Sequence, residues 1–125
     1  MSRFTRTAPL WPALVTAALV LGTAAPSARA QVGQTRLDLE GLPVTLTYPT
    51  EAVARPVAQG PFTLTVAPDA ALAPGAPRRL IVMSHGTGGS AVAEGTLAGR
   101  LARAGFVVAQ PQHAGDNFQD AKDAG

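Results

Sequence analysis

The 125-residue sequence contains no cysteine. It can form no disulfide, carry no lipid on a cysteine and use no thiolate nucleophile, so an exported form must be stabilised by its core alone. A long hydrophobic run is also missing. Leu10 to Ala25 is mostly apolar, but Pro9, Pro12 and Pro26 bracket it, and it falls short of the roughly 20 apolar residues of a membrane-spanning helix. The third shortage is of positive charge where it would matter. Arg3, Arg6 and Arg29 are three of the ten basic residues, and without them seven basic residues face eight acidic ones, a net charge of −1. That balance gives no reason to expect nucleic acid or an anionic membrane as partner.

The N-terminal residues form a recognisable export pattern: Arg3 and Arg6 as a positive leader, the apolar stretch, then Ala28-Arg29-Ala30 as an A-x-A-like cleavage site. The pattern predicts a signal peptide over residues 1–30, a mature chain from Gln31, and a periplasmic or secreted protein with no membrane span left after cleavage.

In the mature chain, Val44, Leu46 and Tyr48 alternate with Thr45 and Thr47, and Phe62, Leu64 and Val66 alternate with Thr63 and Thr65. Both segments predict half-buried strands, expected to pair with each other as an antiparallel edge. Glu51 to Pro61 between them reads as loop, and Ala70 to Pro77, centred on Pro74-Gly75, reads as a surface connection.

The chain is organised around Leu80-Ile81-Val82-Met83-Ser84-His85-Gly86-Thr87-Gly88-Gly89-Ser90. Four consecutive apolar residues predict a strand buried on both faces of a parallel sheet, ending in a glycine-rich turn. Gly86, Gly88 and Gly89 permit close approach to the main chain, so the turn amides are candidate ligands for an anion or oxyanion. Ala91 to Ala104 predicts a helix capped by Ser90, with Val92, Leu97, Ala98, Leu101 and Ala102 on its apolar face and Gly105 just past its end. Phe106 to Ala109 predicts a second buried strand, so strand, helix and strand form a parallel β-α-β unit.

Together with Gly105-Phe106-Val107-Val108-Ala109-Gln110-Pro111-Gln112-His113-Ala114-Gly115-Asp116-Asn117, this arrangement resembles the start of an α/β-hydrolase of the dienelactone-hydrolase and platelet-activating-factor-acetylhydrolase-like group. The likeness covers roughly residues 42 to 118. It implies the N-terminal part of an α/β-hydrolase fold and an exported serine hydrolase acting on small-molecule or polymeric carboxylic esters or lactones, without cofactor or metal. By the same resemblance the Thr87 N–H is the oxyanion donor, and Gly86 and Gly88 shape its turn. Gln112 and Ala114 stand where relatives often have aspartate and proline.

The nucleophile elbow G-x-S-x-G of such enzymes, and the acid and histidine that follow it, do not occur in this sequence. The resemblance therefore places the catalytic triad beyond Gly125 and makes these 125 residues an inactive fragment. Ser84 and Ser90 are the serines of the mature chain, and neither sits in an elbow. Ser84 and His85 are chain neighbours, whose side chains leave a strand on opposite faces, which argues against a nucleophile–base pair. His113 and Asp116 are too few for a closed metal site, and hydrogen bonds that order the loop are the expected role of Asp116 or Asn117. Two alternatives remain. One is a non-catalytic binding remnant of the fold. The other is a dinucleotide-binding domain, because Gly86-Thr87-Gly88-Gly89-Ser90-Ala91 satisfies G-x-G-x-x-A, although Gln110 and Pro111 stand where an acidic ribose ligand belongs.

Overall fold

The computed structural model describes residues 30–123, so all of the expected signal peptide except Ala30 lies outside the described residues. Strands β1 (Gln31–Leu39), β2 (Leu42–Thr50), β3 (Arg55–Gln59), β4 (Phe62–Pro68) and β5 (Leu80–Val82) are followed by helix α1 (Gly95–Arg103) and strand β6 (Val107–Pro111). The strands form one mixed sheet in the order β3-β4-β1-β2-β6-β5. No helix among the described residues is long and apolar enough to cross a membrane.

The antiparallel half differs from the sequence expectation. β2 and β4 do not pair: β1 lies between them, antiparallel to β2 from Gln31↔Thr50 to Leu39↔Leu42 and parallel to β4 at Gly33↔Ala67. The face of β1 that bears Val32 continues with Gln34, Arg36 and Asp38, so it shows no apolar alternation, yet Glu40 and Gly41 both hold positive φ and close a two-residue hairpin. β3, in the stretch read as loop, pairs with β4 from Arg55↔Val66 to Gln59↔Phe62. Pro49 lies within β2, which continues to Thr50.

The β5-α1-β6 unit is present, with β5 and β6 adjacent and parallel from Leu80↔Val107 to Val82↔Ala109. β5, however, is an edge strand. Val108 faces the helix and is fully buried, and its partner Ile81 points the same way and is half-buried; Leu80 and Val82 face the opposite side and are 61% and 66% exposed. The four-residue apolar run is thus covered on one side only among the described residues, and the expectation of two buried faces is corrected.

The helix starts at Gly95 with Glu94 as N-cap, not at Ala91. Ser90 Oγ accepts the Val92 N–H at 3.1 Å and the Ser90 carbonyl accepts the Ala93 N–H at 3.1 Å, so Ser90 organises a turn ahead of the helix. The face laid on the sheet is Gly95, Ala98, Gly99 and Ala102, while Leu97 is exposed. Small residues at this spacing let the helix approach β1 and β2 closely; at Gly99 an added Cβ would lie 3.9 Å from Val32. Val32, Val66 and Ala102 form the core beneath it, with Val57 and Leu64 packed alongside. Gly105, at φ +99°, follows the helix end as expected.

Candidate active site

Because β5 and β6 are neighbouring parallel strands, the turn after β5 and the loop after β6 emerge together at their carboxyl ends, the side on which α/β sheets bind ligands. The two segments are bonded at several points. The Gly88 N–H donates to Asp116 Oδ1 at 2.8 Å, the Ala91 N–H to Gln112 Oε1 at 2.7 Å, and the Phe118 N–H to the Gly89 carbonyl at 3.0 Å. Gln112, the departure from the family pattern, therefore fastens the segment between turn and helix. Asp116 and Asn117 order the loops: Asn117 Nδ2 donates to the His113 carbonyl at 2.6 Å, and its Oδ1 accepts the N–H groups of Gln119 and Asp120 at 2.9 and 3.0 Å.

Gly86, Thr87 and Gly88 are exposed. Within the turn the Gly89 N–H donates to the Gly86 carbonyl at 2.9 Å, and Gly88 adopts φ +69°, which favours glycine. The Gly88 amide is thus committed to Asp116, whereas the Thr87 N–H meets no acceptor among the described residues. These amides belong to a turn, since the helix begins only at Gly95; among the described residues no helix N-terminus adds its dipole to the site.

Ser84 and His113, 29 positions apart, come together here. Ser84 Oγ lies 2.7 Å from His113 Nε2, and the His113 and His85 rings meet edge to face with centroids 4.4 Å apart. The imidazole that Ser84 meets is thus not that of its chain neighbour His85 but that of His113, on the loop after the adjacent strand. The readable signal was positional, because each residue stands two places past the end of a strand in one parallel pair. A cavity of about 570 Å³ involves Gln34, Arg36, Gln59, Ser90, Gln112 and Phe118 but neither Ser84 nor Thr87.

A mixed sheet whose last parallel pair carries a glycine turn and a His-x-Gly-Asp-Asn loop at its carboxyl end is a partial α/β-hydrolase fold. A solved structure, described as ferulic acid esterase from Streptomyces cinnamoneus, is similar to it with a TM-score of 0.60 and 26% sequence identity over 75% of this chain and 36% of the esterase chain. The present chain thus spans about a third of that enzyme's length. The family model for platelet-activating factor acetylhydrolase, isoform II, matches residues 38–119, and the chain belongs to that family. No curated protein sequence matches it.

Proposed function

We propose that this chain is the oxyanion-binding part of an exported serine hydrolase that cleaves carboxylic esters or lactones through an acyl-enzyme. The observation that carries this reading is the Thr87 N–H, free of any acceptor among the described residues and presented at the carboxyl end of β5. Acyl transfer develops negative charge on the former carbonyl oxygen, and a backbone N–H already aimed outward stabilises it without reorganising. The nucleophile, acid and base come from sequence beyond Gly125, and residues 1–30 direct export. The likeness to a ferulic acid esterase supports an ester as substrate. Dinucleotide binding is disfavoured by the late helix start, since the G-x-G-x-x-A fingerprint places pyrophosphate on a helix opening at the glycines.

One observation favours a second reading, in which the nucleophile is Ser84 with His113 as base: their 2.7 Å separation is that of a nucleophile and its general base. No carboxylate is hydrogen-bonded to His113 among the described residues, so the third member of such a set is lacking there. Labelling the protein made from the coding DNA read past codon 125 with a fluorophosphonate, followed by peptide mass spectrometry, separates these readings. The expected result is a modified serine within G-x-S-x-G beyond residue 125. A label on Ser84 would install the second reading, and a protein inert to the probe that bound NAD in calorimetry would replace both.

A further inference from the structure

His85 is held from both sides by main-chain groups, and their chemistry determines where its proton sits. The His113 backbone N–H donates to His85 Nε2 at 3.1 Å. An amide nitrogen can only donate, so Nε2 carries no proton. In the neutral ring the proton is then on Nδ1, which lies 2.9 Å from the Gly86 carbonyl oxygen, an atom that can only accept. Both contacts are satisfied by one tautomer alone.

The Gly86 carbonyl is therefore gripped twice, by His85 Nδ1–H and by the Gly89 N–H at 2.9 Å. The peptide from Gly86 to Thr87 is trans, and in a planar trans peptide the carbonyl and the following N–H point in opposite directions. Fixing the Gly86 oxygen inward thus fixes the Thr87 N–H outward. On the Gly89 side this grip leaves no room: a Cβ at Gly89 would lie 2.9 Å from the Gly86 oxygen and 3.1 Å from both Cβ and Nδ1 of His85. We propose that His85, locked as the Nδ1–H tautomer by the His113 main chain, is a positioning residue that aims the Thr87 N–H. The purpose of that aim rests on the hydrolase reading; the tautomer and the grip do not.

The 125-residue chain, carrying Val82→Lys on the exposed β5 edge to keep it soluble and labelled with isotopic histidine, tests this through long-range proton–nitrogen correlation, which distinguishes bare from protonated ring nitrogens. The chain has two histidines, and His113→Gln identifies the signals while keeping the main-chain N–H that His85 accepts. His85 is expected with Nδ1 protonated and Nε2 bare; the opposite tautomer, or an average of the two, overturns the proposal. A pair of substitutions tests the grip. His85→Asn places an N–H donor where Nδ1 stands and should leave the Thr87 amide resonance in its wild-type position. His85→Gln reaches only the Nε2 position and should move that resonance toward its random-coil value. Equal resonances at the wild-type position in both variants would also overturn the proposal, and if both variants fail to fold the wild-type tautomer decides. In the hydrolase made from the longer coding sequence, His85→Gln should lower kcat about tenfold or more relative to His85→Asn with KM little changed. A protein with the expected tautomer but no hydrolysis would count against the proposed function alone.

Discussion

Gly33 lies directly under the ring of Tyr48, its partner across the β1–β2 ladder: a Cβ at position 33 would collide with ring atoms Cε2 and Cδ2. Tyr48 is buried and its hydroxyl donates to the Ala70 carbonyl at 2.7 Å, so the ring cannot yield without losing that bond. Gly33→Ala should therefore destabilise the chain by about 1–3 kcal/mol, the usual range for overpacking. Urea denaturation measures it, and a midpoint equal to that of the wild type would refute the tight contact.

Tyr48 is the single tyrosine of the chain. Burial, and secondly the negative charge of Asp69, push its ionisation above the usual tyrosine value of 10.0. With the folded value raised, the folded state holds the proton longer than the unfolded one. The associated stability is present below the unfolded value and is lost as pH rises through the folded one. Tyrosinate absorbance during an alkaline titration should show the late ionisation, and Tyr48→Phe should remove the part of the stability decline that begins near pH 10.0.

Asp116 ties the turn to the loop after β6 through the Gly88 N–H. Asp116→Ala should cost about 1 kcal/mol, below the usual range for a bond to a charged acceptor because the pair is exposed, and should speed exchange of the Gly88 amide. Asp116→Asn retains an acceptor and should restore most of the protection.

Val82 and Leu80 expose apolar area on a sheet edge, a geometry that favours edge-to-edge association. The 125-residue chain should aggregate at micromolar concentration, and Val82→Lys should suppress this in light scattering without shifting the position of β5. Unchanged scattering would place the sticky surface elsewhere.

In the longer hydrolase, Thr87→Ala should leave most activity because the proposed contact is a backbone N–H. Thr87→Pro removes the donor and should lower kcat by roughly a hundredfold or more, with a smaller effect on KM. Comparable kinetics for the two variants would dismiss Thr87 as the oxyanion donor.

The segments legible in the sequence were those whose periodicity agrees with their surroundings. β2 and β4 alternate cleanly, and the apolar runs of β5 and β6 bracket a helix that ends just before Gly105. β1 was hidden because its helix-facing side carries Gln34, which bonds Thr47 at 3.3 Å and is also bonded by Gln59, so its burial is satisfied by polar partners instead of by apolar character. Without β1, the pairing of β2 with β4 followed wrongly. The helix start was misjudged because Ser90 has the chemistry of a cap but uses it on Val92 in a separate turn. At the site, the glycine turn was readable, whereas the meeting of Ser84 with His113 depends on two strands lying side by side, which no local pattern records.

β6 comes last in sequence among the described strands, yet it lies inside the sheet, with Val44 to Thr47 of β2 on one side and all of β5 on the other. Among the described residues β5 has no other neighbour in the ladder. Until β6 docks, β5 has no strand to hold it, and the turn that follows has neither Gln112 nor His113 nor Asp116 to fasten it. The glycine turn after β5 is therefore a late product of folding. Its geometry is assembled when a strand more than sixty residues away in sequence closes against β2, a long loop closure of the kind that slows folding. A nascent chain that has reached only Gly105 contains every glycine of the turn and His85, but not Gln112, His113 or Asp116, which fasten them in place.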